Sequence, residues 1–531
     1  MILYYAAKLR IYIGTYWWQS DINPYLCLMK KYFLPLSLLA ATAAAQRPNV
    51  ILLVADDLGY GDLSCYGATR VTTPAVDSIA RQGVRFTDAH ACASTSTPSR
   101  YGLLTGLYPF RRSGTDVAAG NAGMIIRPEQ YTVADLFHSA GYFTGAVGKW
   151  HLGLGLKTAQ QDWNGELDAD LRDIGFDDYY IMAATADRVP CVFIRNGRVA
   201  NYDASAPIAV SYRRNFEGEP TGRDNPELLT KLRSSHGHDQ SIVNGIGRIG
   251  YMKGGGSALW QDENIADSIL SNAISFMERA GDRPFFLYLC TNDIHVPRYP
   301  HDRFRGKNDM GLRGDAIAQF DWTVGRVLQY LREKGLEENT LLIVTSDNGP
   351  VLDDGYDDRA VALAGSHKAG GPFRGGKYSA FEAGSTVPFL AYWKGHTPAG
   401  TVSDALLALT DATATFASLL GTALPDSAAS DSRPCLDTWL GKSGKSAPFS
   451  VSMASNRSLI LRTKRWKYIE PSKGGPMIMW GPEIETGYKA QPQLYDMQSD
   501  TGETQDVSAA HPRVVKKMQK LLSRIKKGSA E

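Results

Sequence analysis

Short apolar runs that alternate with helical segments constrain this chain more than any other feature of its sequence. Residues Asn49 to Val54 form a continuous apolar run between Pro48 and Asp56, which predicts a strand buried on both faces. Further segments follow the same alternation, with strands predicted at 285–289, 341–345 and 388–393 and helices at 74–83, 132–140, 265–279 and 315–334. The pattern predicts an α/β fold in which helices sandwich a mixed, mostly parallel sheet.

The beginning of the chain has a different pattern. Residues 1–28 look like a mis-assigned leader, because the sequence from Met29 onward is typical of a signal peptide. Residues 29–45 contain two lysines, an apolar segment and a small-residue cleavage site, so we expect a mature chain that starts at Gln46. This predicts a periplasmic or secreted protein. No other apolar run reaches the roughly 18 residues of a membrane span.

The rest of the chain divides into a large and a small part. We expect a catalytic α/β domain over 46–440, with an irregular insertion at about 156–257 that lies near the site. Residues 441–531 predict a smaller α+β subdomain, with strands at 459–463, 466–470 and 493–497 and a helix at 512–525. The basic residues of that last helix are interpreted as a solvated face.

Charge and cysteine content exclude two classes of protein. The 57 basic and 55 acidic residues give a net charge of +2, which provides no general attraction for nucleic acid. Five of the six cysteines follow the proposed start, without paired or zinc-binding spacing, so a disulfide framework is not expected. One bridge remains possible at this level.

Polar pairs follow two of the predicted strands. Asp56-Asp57 come directly after the first strand, and Asp347-Asn348 follow the run at 341–345. Ligands of α/β sheets bind outside the carboxyl ends of the strands, and hard oxygen ligands suit Ca²⁺ or Mg²⁺. A helix cap and a turn would explain each pair alone. Two such pairs in one chain favour a metal site.

The segment from Cys92 to Gly106 carries the most specific pattern. Pro98 is well placed to open a helix, so the residues before it would lie at a positive N-terminus suited to an anion. The alternative is an ordinary Ser/Thr-rich helix cap. The order Ser96-x-Pro98-x-Arg100, followed by Leu104-Thr105-Gly106, resembles the serine form of the sulfatase signature.

Other segments resemble sulfatase motifs in the family's order, and the resemblance extends from about Pro48 to the end of the chain. They are Asn49–Gly59, Gly148–Gly153, His295–Pro297, Ser346–Gly349, Arg374–Lys377 and Leu494–Asp496. The resemblance implies an alkaline-phosphatase-like α/β fold and hydrolysis of sulfate esters. One segment departs from the pattern, because Thr386 stands where the family often has arginine.

The resemblance also implies a role for each matching residue. One Ca²⁺ would be bound by Asp56, Asp57, Ser96, Asp347 and Asn348. Arg100 would orient the modified Ser96, and the sulfate would be surrounded by Lys149, His151, His295 and Lys377. We expect His295 to act as the general acid, since histidine exchanges protons near neutral pH.

The nucleophile implied by the family is a formylglycine made from Ser96 by a serine-type maturase, a transient partner. Its hydrate offers one hydroxyl to attack sulfur and a second whose deprotonation expels sulfate. The family also implies a sulfated saccharide substrate, with galactose or N-acetylgalactosamine units of host glycans expected. Three residues near the motifs are further candidates for sugar contacts: Asp353, Asp354 and His367.

Two other functions are compatible with parts of the pattern. A phosphodiesterase or phosphonate hydrolase would have related metal ligands, but such enzymes usually use more His and Asp ligands or lack the x-Pro-x-Arg context after the nucleophile. A non-catalytic glycan-binding relative would keep the fold without the intact set of charged side chains. Metal analysis and sulfate release would separate both from a sulfatase.

Overall fold

The computed structural model describes residues 47–528, so the predicted leader at 1–28 and signal peptide at 29–45 lie outside the described residues. The strands, in chain order, are β1 (Asn49–Ala55), β2 (Val84–His90), β3 (Phe143–Lys149), β4 (Asp178–Met182), β5 (Phe193–Arg195), β6 (Arg198–Val199), β7 (Ala209–Ser211), β8 (Ile242–Val243), β9 (Ile246–Gly247), β10 (Tyr251–Lys253), β11 (Phe285–Cys290), β12 (Thr340–Ser346), β13 (Phe389–Tyr392), β14 (Thr401–Ala408), β15 (Ser450–Met453), β16 (Leu459–Arg462), β17 (Trp466–Ile469) and β18 (Gln493–Asp496). The α-helices are α1 (Pro74–Gln82), α2 (Ser96–Thr105), α3 (Val133–Ser139), α4 (Ile265–Ala280), α5 (Gly311–Glu333), α6 (Ala360–Ala364), α7 (Ala412–Leu420), α8 (Leu436–Trp439) and α9 (Pro512–Lys526).

The centre of the fold is a ten-stranded sheet in the order β14-β2-β13-β12-β1-β11-β3-β4-β5-β6. The strands from β12 to β4 run parallel to one another, and all seven residues of β1 are buried. This confirms the predicted mostly parallel sheet. β13 runs antiparallel to both of its neighbours. Its apolar run predicts burial but carries no information on direction.

Helices cover both faces of this sheet. Phe286 of β11 stacks on Phe137 of α3, with the rings 4.3 Å apart. Gly145 of β3 lies against Phe276 of α4. Its partner in the neighbouring strand is Leu287 of β11, the residue that follows Phe286. Because successive residues of a strand point to opposite faces, α3 and α4 lie on opposite sides of the sheet.

The insertion predicted at about 156–257 contributes more to the sheet than its weak periodicity indicates. β4, β5 and β6 extend the central sheet beyond β3, and only the later part consists of short strand pairs and loops. β2 and β14 were also not predicted. The buried positions of β2 alternate with partly exposed ones in its first half, so it lacks a continuous apolar run.

The end of the chain forms a four-stranded antiparallel sheet, β15-β16-β17-β18, followed by α9. This confirms the predicted small C-terminal sheet and helix, to which β15 is added. The apolar face of α9, including Met518 and Leu522, packs into one cluster with Leu461 and Tyr468. Within 47–528, every helix is too short or too polar to cross a membrane.

Candidate active site

Two pairs of polar residues meet at the carboxyl ends of β1 and β12. These strands are parallel and paired to their last residues, so Asp56-Asp57 and Asp347-Asn348 leave the sheet at the same edge. The Nδ2 atom of Asn348 donates to Asp57 Oδ1 at 2.8 Å, and the Asp57 amide donates to Asp347 Oδ1 at 3.3 Å. All four residues are at most 1% exposed. The structure therefore brings the predicted oxygen ligands into one buried group.

Ser96 is the first residue of α2, and its hydroxyl faces this group. The Oγ atom lies 3.2 Å from Asn348 Oδ1 and 3.4 Å from Asp56 Oδ1. The helix begins at Ser96 rather than at Pro98, which is tolerated because the N–H groups of a first turn have no helical acceptor. Ser96 thus occupies a helix N-terminus, where free N–H groups favour an anion.

Lys149 is positioned by a close contact between two strands. The preceding Gly148 has a φ of 100°, and a Cβ there would lie 1.8 Å from the Cys290 carbonyl oxygen of β11. Glycine is therefore required for this approach. The Nζ atom of Lys149 donates to Ser96 Oγ at 2.8 Å and to Asp56 Oδ1 at 2.5 Å. Burial lowers the pKa of Lys149 and raises that of Asp56, since it disfavours both charged forms.

Arg100 lies one helical turn after Ser96 and is fully buried. Its Nε atom donates to Asp347 Oδ2 at 2.9 Å. Burial alone would raise the pKa of Asp347, but Arg100 and Lys149 outweigh it and the pKa is lowered. Arg100 thus keeps a predicted metal ligand ionised and fixed in place.

Lys377 links three other side chains of the site. Its Nζ atom donates to Asp57 Oδ2 at 2.8 Å and to Asp354 Oδ2 at 2.9 Å, and it lies 3.3 Å from His295 Nε2. Burial would raise the pKa of Asp57, but Lys377 and His295 hold it well below its usual range. The Nδ1 atom of His295 bonds the carbonyl oxygen of Val296 at 2.6 Å. Since a carbonyl only accepts, this nitrogen carries a proton and Nε2 faces the site.

Among residues 47–528, the imidazole ring of His151 makes one hydrogen bond, between Nε2 and the carbonyl oxygen of Ala118 at 2.9 Å. Burial and the nearby Lys149 lower its pKa well below the usual value, so the ring is neutral at pH 7. Nε2 must then hold the proton, which leaves Nδ1 as an acceptor. Within the described part of the chain, the buried Nδ1 atom of His151 has no hydrogen-bond partner. This nitrogen is available to a ligand.

The oxygen group fits a divalent cation. The Oδ2 atom of Asp56 is buried and has no hydrogen-bond partner among residues 47–528, as expected of an oxygen that binds a metal ion. Ligand atoms of Asp56, Asp57 and His295 also lie within 4.8 Å of one another. Three carboxylates and an amide oxygen are the donors that calcium prefers.

Strained backbone accompanies these side chains. Asp57, His151 and Tyr378 have φ values of 57°, 60° and 77°, in the left-handed region that residues with a Cβ rarely adopt. Such conformations cost about 1–3 kcal/mol each and occur where the surrounding structure enforces a required geometry. Here, each of the three residues is in the site or directly next to it.

A cavity of about 1050 Å³ opens in front of Ser96, and it is lined by residues of the strand-end loops, of the insertion and of the C-terminal part of the chain. Of the three predicted sugar contacts, only Asp354 lines this cavity. Asp353 lies outside its lining and accepts a hydrogen bond from Ser235. His367 also lies outside, with Nε2 2.8 Å from the buried carboxylate of Asp62. Asp353 and His367 are therefore not part of the lining of the cavity that contains Ser96.

Several lining residues were not predicted from the sequence. The hydroxyl of Tyr378 donates to Asp354 at 2.9 Å. In the insertion, buried Asp187 pairs with Arg188 at 2.8 Å and lies 3.1 Å from His238 Nε2. These insertion residues lie outside the recognised motifs, and their only signal was the Gly-, Asp- and Arg-rich composition around them.

The segment that contains Thr386, where the family often has arginine, also contains a buried carboxylate with cationic partners. The neighbouring Glu382 is 2% exposed and lies 3.2 Å from Arg462 and 3.0 Å from Lys467, both of which belong to the C-terminal sheet. Lys467 lies 2.7 Å from a second buried acid, Glu503. Cations from the C-terminal sheet therefore neutralise Glu382.

Comparison with known proteins identifies the family to which a chain with this site belongs. The family model described as Sulfatase matches residues 48–422, which is most of the chain. The chain belongs to the sulfatase family. It is therefore a sulfuric ester hydrolase, and the motifs at Ser96, Lys149 and Asp347 lie within the matched segment.

The sulfatase is similar to individual proteins over most of its length. It is 49% identical to an N-acetylgalactosamine-6-O-sulfatase of Bacteroides thetaiotaomicron, over 91% of this chain and 94% of that protein. It is 32% identical to human arylsulfatase A, over 74% of this chain and 68% of that protein. A solved structure from work on glycosaminoglycan metabolism by Bacteroides thetaiotaomicron has 48% identity and a TM-score of 0.89, covering 91% of this chain and all of that one.

Proposed function

We propose that this sulfatase removes the 6-O-sulfate group of N-acetylgalactosamine or galactose units in host glycans. The catalytic part of the proposal depends on one observation, the position of Ser96 Oγ among Asp56, Asn348 and Lys149. The substrate part is supported by the 49% identity to an N-acetylgalactosamine-6-O-sulfatase over nearly the whole of both chains.

In the proposed enzyme, Ser96 is converted to formylglycine, whose hydrate supplies the attacking hydroxyl. Asp56, Asp57, Asp347 and Asn348 would hold one calcium ion beside it, which offsets the negative charge of the sulfate oxygens. Arg100 would keep Asp347 ionised and oriented, as its 2.9 Å hydrogen bond in the structure supports.

Two cations and one imidazole act on the sulfate and the nucleophile. Lys149 and Lys377 are buried and fixed by carboxylates, so they can donate to sulfate oxygens without reorganising as charge builds up. His151 is neutral and offers Nδ1 as an acceptor. We assign to that nitrogen the removal of a proton from a hydroxyl of residue 96.

His295 serves as the general acid in this proposal. Its Nδ1 atom is fixed by the Val296 carbonyl, so Nε2 is the nitrogen that faces the site. Protonated Nε2 would transfer its proton to the oxygen of the leaving sugar as the sulfur–oxygen bond breaks. A sugar alkoxide is a poor leaving group, so this proton transfer is worth most for saccharide substrates.

Sulfate release from defined sugars tests the substrate. The protein from its native host would be given N-acetylgalactosamine 6-sulfate, its 4-sulfated isomer and a 6-sulfated glucosamine, and free sulfate would be measured by ion chromatography. We expect rapid release from the first sugar and at least 100-fold slower release from the others. Equal rates on the 4-sulfated isomer would overturn the proposed position specificity.

Peptide mass spectrometry tests the nucleophile separately. Conversion of the Ser96 alcohol to an aldehyde lowers the mass of the peptide that ends at Arg100 by about two units. We infer that a serine-type maturase of the producing cell performs this step. We also infer that the chain is exported after cleavage following Ala45, which the N-terminal sequence of the mature protein would test.

A further inference from the structure

Three exposed apolar side chains lie in the lining of the active-site cavity. Trp480 and Met479 are 55% and 75% exposed, and Val117 is 44% exposed. All three line the same cavity as Ser96. An exposed indole beside a thioether leaves apolar surface in water, and a patch of this kind at a binding cleft marks a contact surface for a ligand. The residues assigned to sulfate ester hydrolysis do not account for it.

The loop that carries Trp480 is held in place by hydrogen bonds at its base. Glu485 accepts two hydrogen bonds of 2.6 Å from the guanidinium of Arg374, and its carbonyl accepts one of 2.6 Å from Ser379. Ile478, immediately before the exposed pair, is 4% exposed, and its amide donates to the Ile484 carbonyl at 2.7 Å. The two exposed side chains thus extend from a turn that is fixed by hydrogen bonds, so their positions at the cavity are fixed as well.

Trp480 is connected to the catalytic residues through Tyr378. The two rings pack edge to face with centroids 5.2 Å apart and an angle of 75° between their planes. Tyr378 directly follows Lys377 and donates to Asp354 at 2.9 Å. On its other side, the loop packs against the insertion, where the ring of His236 lies against Gly481. The indole is therefore held at the cavity wall at a fixed position relative to the sulfate-binding lysine.

We propose that Trp480, with Met479, is a stacking platform for the sugar ring attached to the sulfated one. This inference rests on the proposed saccharide substrate. A pyranose ring presents C–H groups on its faces and hydroxyls at its rim, which suits an aromatic face bordered by polar side chains. The volume of the cavity, about 1050 Å³, also lies just above the roughly 300–1,000 Å³ range of small-molecule sites, so it has room beyond a single ring.

The test compares a monosaccharide with a disaccharide. Wild-type protein carrying formylglycine and its Trp480→Ala variant would be assayed on N-acetylgalactosamine 6-sulfate and on a disaccharide that contains the same 6-sulfated residue. The measured quantity is the ratio of kcat/KM for disaccharide to monosaccharide. We expect Trp480→Ala to lower this ratio roughly five- to tenfold, mainly through KM, and Trp480→Phe to restore most of it. An unchanged ratio overturns the platform.

A second exposed aromatic residue provides the matched control. Tyr202 is 38% exposed and does not line the cavity, so Tyr202→Ala should leave the ratio as in the wild type. Calorimetric binding of the disaccharide to Ser96→Ala protein, with and without Trp480→Ala, gives a readout that needs no turnover. Weaker binding by about the same factor supports the platform, and equal binding contradicts it. If wild-type protein releases sulfate from neither sugar, the proposed function itself fails.

Discussion

The Nζ atom of Lys149 lies 2.8 Å from the Oγ atom of Ser96, so a buried cation is in direct contact with the residue proposed as the nucleophile. The same ammonium lies 2.5 Å from Asp56, and it thereby connects the nucleophile to the proposed metal ligands. Removing any one of these three groups should therefore disturb the other two.

Replacing Lys149 by methionine should lower kcat by about 100- to 1,000-fold, because it removes a fixed donor aimed at charge that develops in the transition state. Steady-state kinetics on a sulfated sugar measure the effect, and circular dichroism establishes that the variant is folded. Exposed Lys157→Met is the matched control and should keep wild-type kinetics. A loss of less than tenfold for Lys149→Met would remove Lys149 from the catalytic set.

Removal of divalent cations should reduce both activity and thermal stability. Asp56, Asp57 and Asp347 are nearly fully buried together, and their mutual repulsion is relieved by a bound cation. We expect chelation to lower Tm, and added calcium to restore Tm and activity by mass action. Differential scanning fluorimetry across a calcium titration measures this.

The Asp56→Asn variant serves as the comparison for that titration. It should need a higher calcium concentration for half-maximal recovery, because one carboxylate ligand is lost. A chelated wild-type protein that keeps full activity would contradict the metal site.

The role of His295 as general acid predicts a dependence on the leaving group. His295→Gln should lower kcat by roughly 100- to 10,000-fold on a sulfated sugar, whose alkoxide needs a proton on departure. The loss should be much smaller on a nitrophenyl sulfate, because a nitrophenolate leaves readily without protonation. The ratio of the two losses is the measurement. Equal losses on both substrates would indicate that His295 binds sulfate instead of donating a proton.

Glu503 should make part of the stability of the protein depend on pH. Burial raises its pKa to about 7 in the folded state despite the nearby Lys467. Its contribution to stability is therefore fully present below the unfolded pKa of about 4.3 and is lost as the pH rises through about 7. The free energy of unfolding of wild type minus that of Glu503→Gln should fall by roughly 2–4 kcal/mol over this range.

Urea unfolding of the two proteins at several pH values between 4.5 and 8 measures this difference. Glu217→Gln, at an exposed position, is the control and should give a difference that does not change with pH. A flat profile for Glu503→Gln as well would show that Glu503 stays ionised in the folded protein.

The sequence allowed the central sheet and the buried oxygen group to be predicted because both follow from local patterns. β1 and β12 are continuous apolar runs, and Asp56 and Asp347 directly follow them, so their meeting at one sheet edge required only that the strands be parallel neighbours. Ser96 was identified because the Pro98 and Arg100 that follow it resemble the sulfatase signature. The boundaries of these elements agree with the structure to within a few residues.

Other features depend on contacts between distant segments, and no local pattern encodes them. β2 has polar residues at its partly exposed positions, and the direction of β13 is set by its neighbours. Asp187 and Tyr378 face the cavity only because the insertion and the strand-end loops fold back over it. His367 lies near a recognised motif in sequence, yet its side chain forms a hydrogen bond with Asp62 and does not line the cavity.

The ion pairs of Glu382 bear on how such an enzyme can change during evolution. Its counterions, Arg462 and Lys467, are encoded some eighty residues further along the chain. A recombination event that joined residues 48–422 to a C-terminal sheet without those two cations would leave the buried Glu382 carboxylate without its main counterions, a change that costs about 3–5 kcal/mol. The two segments are thus expected to be inherited as a pair.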